Sequence, residues 1–121
     1  MPSSRSAFPS DSPPVQQITP QQLQERLSDA AAAMPLLLDV REPWEFQICH
    51  LPGSLLMLMQ TVPTRLAELN PDADTVVICH HGARSMQAAM FLERAGFARL
   101  YNLSGGVDAW ARTVEASMPV Y

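Results

Sequence analysis

Lysine is absent from this chain, cysteine occurs only twice, and no apolar run is long enough to cross a bilayer. The eight basic residues form no cluster and the net charge is −4, which argues against nucleic acid as a partner. Two cysteines are too few for a disulfide scaffold. The segment Met1–Pro14 has no apolar stretch, so we expect neither a secretory signal nor a membrane anchor. The resulting prediction is a cytoplasmic protein in which a reactive thiol stays reduced.

A length of 121 residues and an apolar fraction of 47% predict one globular domain with a well-filled core. Met1–Pro14 is polar, interrupted by prolines and without periodicity, so we predict that it is disordered. Residues 15–121 are predicted to form the domain.

Short apolar segments alternate with helical patterns along this domain. Thr19, Pro20 and Gln22 have the spacing of a capping box, which predicts a helix start. The alternation predicts an α/β fold with a parallel sheet and helices on both faces. The predicted strands are Val15–Ile18, Leu36–Val40, Thr75–Cys79 and Arg99–Leu103. The predicted helices begin near Thr19, Pro43, Val62, Met86 and Val107, and Met86, Ala89, Met90 and Glu93 mark the expected packing side of the fourth.

The segment Cys79–Ser85 is the strongest indication of chemistry. It follows a buried strand, contains a glycine and leads into a helix. A loop in this position directs backbone N–H groups and a helix dipole towards one point, which favours an anion there. Cys79 is therefore predicted to be a thiolate and a nucleophile.

Side chains of the loop admit more than one interpretation. Arg84 either holds the oxyanion group of a substrate by paired hydrogen bonds or braces the loop, and both possibilities stay open. His80 and His81 could tune the pKa of the cysteine, act as acid or base, or bind a metal. The preferred prediction is that they contribute their backbone N–H groups, with imidazoles that face solvent at the rim. Gly82 is expected to adopt a left-handed or crowded backbone, and Ser85 to cap the helix.

Other chemically notable residues have ordinary interpretations. Asp39 is expected to accept hydrogen bonds from loop amides, and Arg41 to add positive charge beside the sulfur. Cys49 is predicted to be a small buried packing residue, with a resolving role for it as the weaker alternative. Trp44, Trp110 and the methionines are predicted core residues. The spacing of cysteines and histidines does not match a zinc site.

Three segments together resemble the rhodanese-like sulfurtransferase family, specifically its small single-domain members. They are Leu38-Asp39-Val40-Arg41-Glu42 with Trp44-Glu45-Phe46, His50-Leu51-Pro52-Gly53-Ser54, and the cysteine loop with Gly105-Gly106-Val107-Asp108-Ala109-Trp110. Cys49 departs from the family pattern, which usually has glycine before the histidine. The resemblance implies a single domain with a five-stranded parallel sheet.

By this resemblance, Cys79 is the catalytic residue that carries a transferable sulfur as a persulfide. The implied substrate-binding residues are His80, His81, Gly82, Ala83, Arg84, Ser85 and Arg41. The expected partners are a small-molecule sulfur donor such as thiosulfate and a thiophilic acceptor, or a cysteine desulfurase and a sulfur-acceptor protein. Neither a metal nor another cofactor is expected to be required, and no membrane partner is predicted.

Three other functions remain alternatives at this point. They are a sulfur-relay carrier loaded by a desulfurase, a cysteine phosphatase or arsenate reductase, and a non-catalytic binding module. Four residues separate Cys79 from Arg84, one fewer than in the phosphatase and reductase families. The smaller ring favours a single sulfur atom over a tetrahedral oxyanion.

Overall fold

The computed structural model describes residues 15–121, and the predicted disorder of Met1–Pro14 lies outside them. Five parallel strands form one sheet: β1 Val15–Ile18, β2 Leu36–Asp39, β3 Leu55–Leu56, β4 Thr75–Ile78 and β5 Leu100–Leu103. The spatial order β1-β5-β4-β2-β3 places β4 at the centre. The α/β fold with a five-stranded parallel sheet is therefore confirmed, and β3 is the strand that the residue pattern did not indicate.

Four α-helices connect and cover the strands: α1 Pro20–Ser28, α2 Pro43–Ile48, α3 Ala83–Arg94 and α4 Gly106–Thr113. The helix start at Thr19 is confirmed by a capping box. The Thr19 hydroxyl accepts from the Gln22 backbone amide, and the Gln22 side-chain oxygen accepts from the Thr19 backbone amide. The predicted helix from Val62 is instead a 3₁₀ segment, Met59–Glu68. Pro63 within it cannot donate an amide hydrogen bond, which is compatible with this irregular geometry.

Alternate residues of the central strand supply two separate core layers. Val77 belongs to the layer that contains Ala88, Ala89 and Leu92 of α3. Val76 and Ile78 belong to the opposite layer, with Leu23 of α1 and Trp110 of α4. Side chains of a strand alternate between its faces, so β4 is covered on both sides as the continuous apolar run predicted.

One packing prediction was wrong in part and another was wrong. In α3, Ala89 is buried as predicted and Met86 packs partly buried against the core, but the other predicted positions do not define the buried side. The buried side of α3 is formed by Ser85, Ala88, Ala89 and Leu92, whereas Met90 is 44% exposed. Ser85 lies on the buried face of this helix because its hydroxyl contacts the cysteine. A hydrophobic pattern cannot predict such a polar contact. Trp44 is 58% exposed because it lies in the first turn of the short helix α2, at its solvent side. Trp110 is buried as predicted.

Candidate functional site

The cysteine loop lies at the carboxyl end of the central strand. Cys79 follows the last residue of β4, and α3 begins four residues later at Ala83, which is exposed. Gly82 caps this helix with a φ of 108°, so the predicted left-handed conformation is confirmed. Ligands of parallel α/β sheets bind at this edge, outside the carboxyl ends of the strands.

Two donors contact the Cys79 sulfur directly. The Gly82 amide nitrogen lies 3.0 Å from Sγ, and the Ser85 hydroxyl oxygen lies 3.2 Å from it. Both contacts favour a negative sulfur, because an N–H or O–H dipole that points at an anion stabilises it. The cysteine is only 1% exposed, so its sulfur has almost no direct contact with solvent in this conformation.

Asn102 of β5 ties this pair of contacts to the sheet. Its amide nitrogen donates to the Gly82 carbonyl at 3.2 Å and to the Gln17 side chain at 3.1 Å. These two bonds orient the amide so that its oxygen faces the Ser85 hydroxyl, which contacts it closely. A hydroxyl has one proton to donate, so Asn102 and an ionised Cys79 compete for the proton of Ser85. Ser85 thus faces the sulfur and is not the helix cap that we predicted.

The start of α4 fastens the loop from the other side. The Val107 amide donates to the Cys79 carbonyl at 2.9 Å, and the Asp108 amide donates to the His80 carbonyl at 3.1 Å. This close approach requires Gly106, since a Cβ there would lie 2.2 Å from the Cys79 carbonyl oxygen. The Gly105-Gly106 pair therefore permits a helix start to satisfy the carbonyls of the loop.

Arg84 forms a bidentate ion pair with Glu45 of α2. Its two terminal nitrogens each lie 2.8 Å from a different carboxylate oxygen. Glu45 is buried, and the hydrogen bonds from Arg84 lower its pKa to about 2. The same pair raises the pKa of Arg84 above its ordinary value. The bracing contact considered for Arg84 is thus present, and a contact with substrate stays a prediction.

A second buried pair stands behind the first. Arg41 binds Asp39 through three hydrogen bonds, and it donates to the Tyr121 hydroxyl at 2.7 Å. That hydroxyl donates to Glu45 at 2.9 Å, so the chain Asp39–Arg41–Tyr121–Glu45–Arg84 is continuous. Burial raises the pKa of Tyr121 to about 12, which keeps the hydroxyl protonated as a donor.

Arg41 was predicted to bind substrate, whereas the structure places its side chain among protein acceptors. Its side chain is completely buried, and it also donates to the Cys49 carbonyl at 2.6 Å. A strong donor with several planar N–H groups is satisfied here by protein acceptors, so it organises the strand end. Asp39 accepts from the Arg41 amide as predicted, but most of its bonds go to the Arg41 side chain.

The two loop histidines differ in environment. The side chain of His81 is 68% exposed, as expected for a residue at the rim. His80 is 18% exposed and stacks between Tyr121, with centroids 4.1 Å apart, and His81, with centroids 4.0 Å apart. Burial, followed by the proximity of His81, lowers the pKa of His80. The expectation of a solvent-facing imidazole is therefore wrong for His80.

Cys49 has the packing role predicted for it, and His50 lies outside the cysteine loop. Cys49 is a buried free cysteine that ends α2, and His50 is an exposed residue stacked on Phe46 at 3.8 Å. Within residues 15–121, no helix combines the length and apolar character that a membrane span requires.

Residue patterns did not indicate Glu45, Asn102 or Tyr121 as parts of the site. Glu45 had a weak signal, because it is an acidic residue in the first turn of a helix between two aromatic side chains. Asn102 interrupts an apolar strand, which is a sign of a buried polar partner. Tyr121 lies far from the loop in sequence, and nothing in its neighbourhood indicated the contact.

A family model for the rhodanese-like domain matches residues 19–113. The chain belongs to this family. The predicted membership is thereby confirmed, and the matched residues include the Cys79 loop.

Curated rhodanese-like relatives include single-domain and longer proteins. A sulfurtransferase of Allochromatium vinosum is 40% identical over 98 residues, which cover 81% of this chain and 90% of the relative. Thiosulfate sulfurtransferase GlpE of Ectopseudomonas mendocina is 34% identical, covering 79% of this chain and 84% of that protein. Rhodanese-like/PpiC domain-containing protein 12, chloroplastic, of Arabidopsis thaliana is 37% identical over 93% of this chain, which spans only 39% of that relative.

Solved rhodanese-like structures have the same architecture. The crystal structure of a rhodanese-like domain protein from Staphylococcus aureus superposes with a TM-score of 0.74 at 25% identity. The superposition covers 88% of this chain and 98% of that one. The five-stranded parallel sheet is therefore the family fold.

Proposed function

We propose that this chain is a sulfurtransferase that transfers a sulfane sulfur through a persulfide on Cys79. The observation that carries the proposal is the Cys79 sulfur at the end of β4, within 3.0 Å of the Gly82 amide nitrogen. The relatives described above, a sulfurtransferase and a thiosulfate sulfurtransferase, support the same activity class.

In the first half-reaction, the Cys79 thiolate attacks the outer sulfur of a donor such as thiosulfate. The donor S–S bond breaks, and sulfite leaves with the bonding electron pair. Cysteine suits this step because its thiolate is a strong nucleophile. The Gly82 amide and the Ser85 hydroxyl stabilise the negative sulfur before the attack.

In the second half-reaction, an acceptor attacks the outer sulfur of the persulfide and regenerates the thiolate. Cyanide is the acceptor in an assay and becomes thiocyanate, while a thiol or a protein is the proposed acceptor in the cell. Because the intermediate is covalent, the kinetics should be ping-pong. The chemistry depends on a reduced thiol, which accords with the predicted cytoplasmic location.

The test is thiosulfate:cyanide sulfurtransferase activity in the wild type and in Cys79→Ser. We expect the variant to lose turnover and mass spectrometry of the thiosulfate-treated wild type to show a gain of one sulfur atom. Cys49→Ser is the matched control, since it changes the other buried cysteine and should keep both signals. Equal rates in the wild type and Cys79→Ser would reject the proposed nucleophile.

Sulfur relay is the second candidate, because it uses the same persulfide. It is favoured by the pairing of Arg84 with Glu45, which neutralises a cation that a dianionic donor would use. A mixture with a loaded cysteine desulfurase should then modify Cys79 where thiosulfate does not. A phosphatase would instead hydrolyse p-nitrophenyl phosphate, and we expect no such turnover.

A further inference from the structure

Three side chains with metal-binding atoms meet beside the cysteine loop. They are His80, His81 and Asp108, and their ligand atoms all lie within 4.8 Å of one another. His80 Nε2 lies 4.0 Å from one Asp108 oxygen, and His81 Nε2 lies 3.8 Å from the other. These separations exceed hydrogen-bond length, which is about 2.7–3.2 Å. Two zinc ligands, each about 2.0–2.2 Å from the ion at a tetrahedral angle, lie about 3.3–3.6 Å apart. The observed separations are therefore slightly longer than those of a formed site.

His80 supplies a fixed ligand atom. Its Nε2 is buried and has no hydrogen-bond partner among the residues that the structure describes. Tyr121 covers one face of the ring and limits its rotation, with ring centroids 4.1 Å apart.

Asp108 supplies an oriented carboxylate. Its backbone is held against the loop by the hydrogen bond to the His80 carbonyl, and Arg112 donates to its Oδ2 at 3.0 Å. Ligating carboxylates commonly accept such an outer hydrogen bond, which orients them.

His81 completes the set as an adaptable ligand. The ring planes of His81 and His80 are inclined by only 23° in this conformation. The lone pairs of their ring nitrogens therefore do not converge on one metal position. The side chain is 68% exposed, and a rotation towards Asp108 meets little resistance. Two imidazoles and one carboxylate suit zinc or copper better than magnesium or calcium, which prefer oxygen ligands.

We propose that His80, His81 and Asp108 form a binding site for a transition-metal dication of the zinc class at the rim of the cysteine loop. Water would complete the coordination. The site is separate from the sulfur-transfer reaction, which uses Cys79 alone as its covalent centre. A bound ion would nevertheless change the charge beside the sulfur, because His80 is its neighbour in sequence.

The experiment uses the full chain with Cys79→Ser, which removes the thiolate as a competing ligand. Calorimetric titration with Zn²⁺ should show one site, and Co²⁺ should give a visible spectrum without a thiolate charge-transfer band. Adding His81→Ala should weaken Zn²⁺ binding by about tenfold or more, since even loss of an outer-shell partner typically costs 10–100-fold. Asp108→Asn should weaken it similarly.

His50→Ala is the matched control, because it removes another exposed histidine away from the loop, and it should leave the affinity unchanged. The proposal is overturned if Cys79→Ser binds no Zn²⁺ or if His81→Ala binds as tightly as its parent. Equal weakening by His50→Ala would also overturn it, because binding would then be a property of surface histidines in general. None of these outcomes depends on sulfurtransferase activity.

Discussion

The positive charge of Arg84 is already neutralised by an ion pair within the protein before any substrate binds. Both terminal nitrogens are bound to Glu45, although the side chain is 39% exposed. An incoming sulfonate must therefore compete with a carboxylate that is already in place. Removing the charge of Glu45 separates the two interpretations of Arg84.

We predict that Glu45→Gln lowers the KM for thiosulfate about fivefold, corresponding to about 1 kcal/mol for a partly exposed charge pair. Glutamine keeps the shape and one acceptor oxygen, but it leaves the Arg84 charge available to the donor. Steady-state kinetics at varied thiosulfate measure the effect. Glu68→Gln, which disrupts an exposed pair with Arg65, is the control.

An unchanged KM in Glu45→Gln would mean that Arg84 braces the loop without meeting the donor. Arg84→Lys gives an independent answer, because lysine cannot reproduce paired hydrogen bonds. It should raise the KM for thiosulfate if Arg84 binds the sulfonate.

At the residue scale, the sequence allowed prediction of the backbone requirements but not of the pairs between side chains. Gly82 was predicted because a loop that closes on a helix start commonly needs a left-handed residue. The Glu45–Arg84 pair was not predicted, since it joins residues that are 39 positions apart and depends on how α2 lies against the loop. Such pairs follow from tertiary packing, which residue spacing does not report.

At the level of elements, strands were easier to predict than helix faces. The central strand is an uninterrupted apolar run that is buried on both sides, and its pattern has few alternatives. The buried side of α3 was predicted one residue out of position, although Ala89 is buried as predicted, because Ser85 faces inward to contact the cysteine. A hydrophobic pattern assigns serine to the surface, so the predicted buried face of the helix was shifted from the observed one.

The contact between the start of α4 and the cysteine loop leads to a prediction about Gly106. Alanine there would place its Cβ 2.2 Å from the Cys79 carbonyl oxygen and 2.3 Å from that of His80. We expect Gly106→Ala to reduce the free energy of unfolding and to abolish most sulfur transfer. Urea unfolding followed by circular dichroism measures the first effect.

Gly96→Ala is the control, because Gly96 also has a positive φ but nothing within 4 Å of an added Cβ. It should cost only the conformational strain of about 1–2 kcal/mol and keep the activity. If the two variants lose equal stability and both stay active, the close approach of α4 to the loop is not required.

At the scale of the whole molecule, the alternation of strands and helices was sufficient to predict the class of fold. The order of the strands was not predicted, because connections between parallel strands are all of similar kind and leave several orders possible. The continuous chain of five polar side chains from Asp39 to Arg84 could not be predicted, since it draws on β2, α2, α3 and the last residue.

The buried Glu45 carboxylate should make global stability depend on pH. Its pKa is lowered from 4.5 to about 2 in the folded chain. Between these values the unfolded chain binds more protons, so the stabilisation is complete above pH 4.5 and is lost as pH falls towards 2. The loss is at most about 3 kcal/mol, since one pKa unit is worth about 1.4 kcal/mol.

Urea unfolding of the wild type and Glu45→Gln at a series of pH values measures this contribution. The wild type should approach the stability of the variant as the solution is acidified. The two curves should diverge again towards neutral pH. Parallel curves over the whole range would show that the carboxylate contributes no net ion-pair stability.

Residues distant from the loop in sequence reach it from both directions. Gln17, in the edge strand β1, accepts from Asn102, and Tyr121 covers the ring of His80. The edge strand β1 has a neighbouring strand on one side only, and such weakly held parts of a domain open most readily. Local opening there would therefore disturb the contacts around the Cys79 sulfur before the rest of the sheet unfolds. On gentle heating, we expect the reactivity of Cys79 to be lost before the fold.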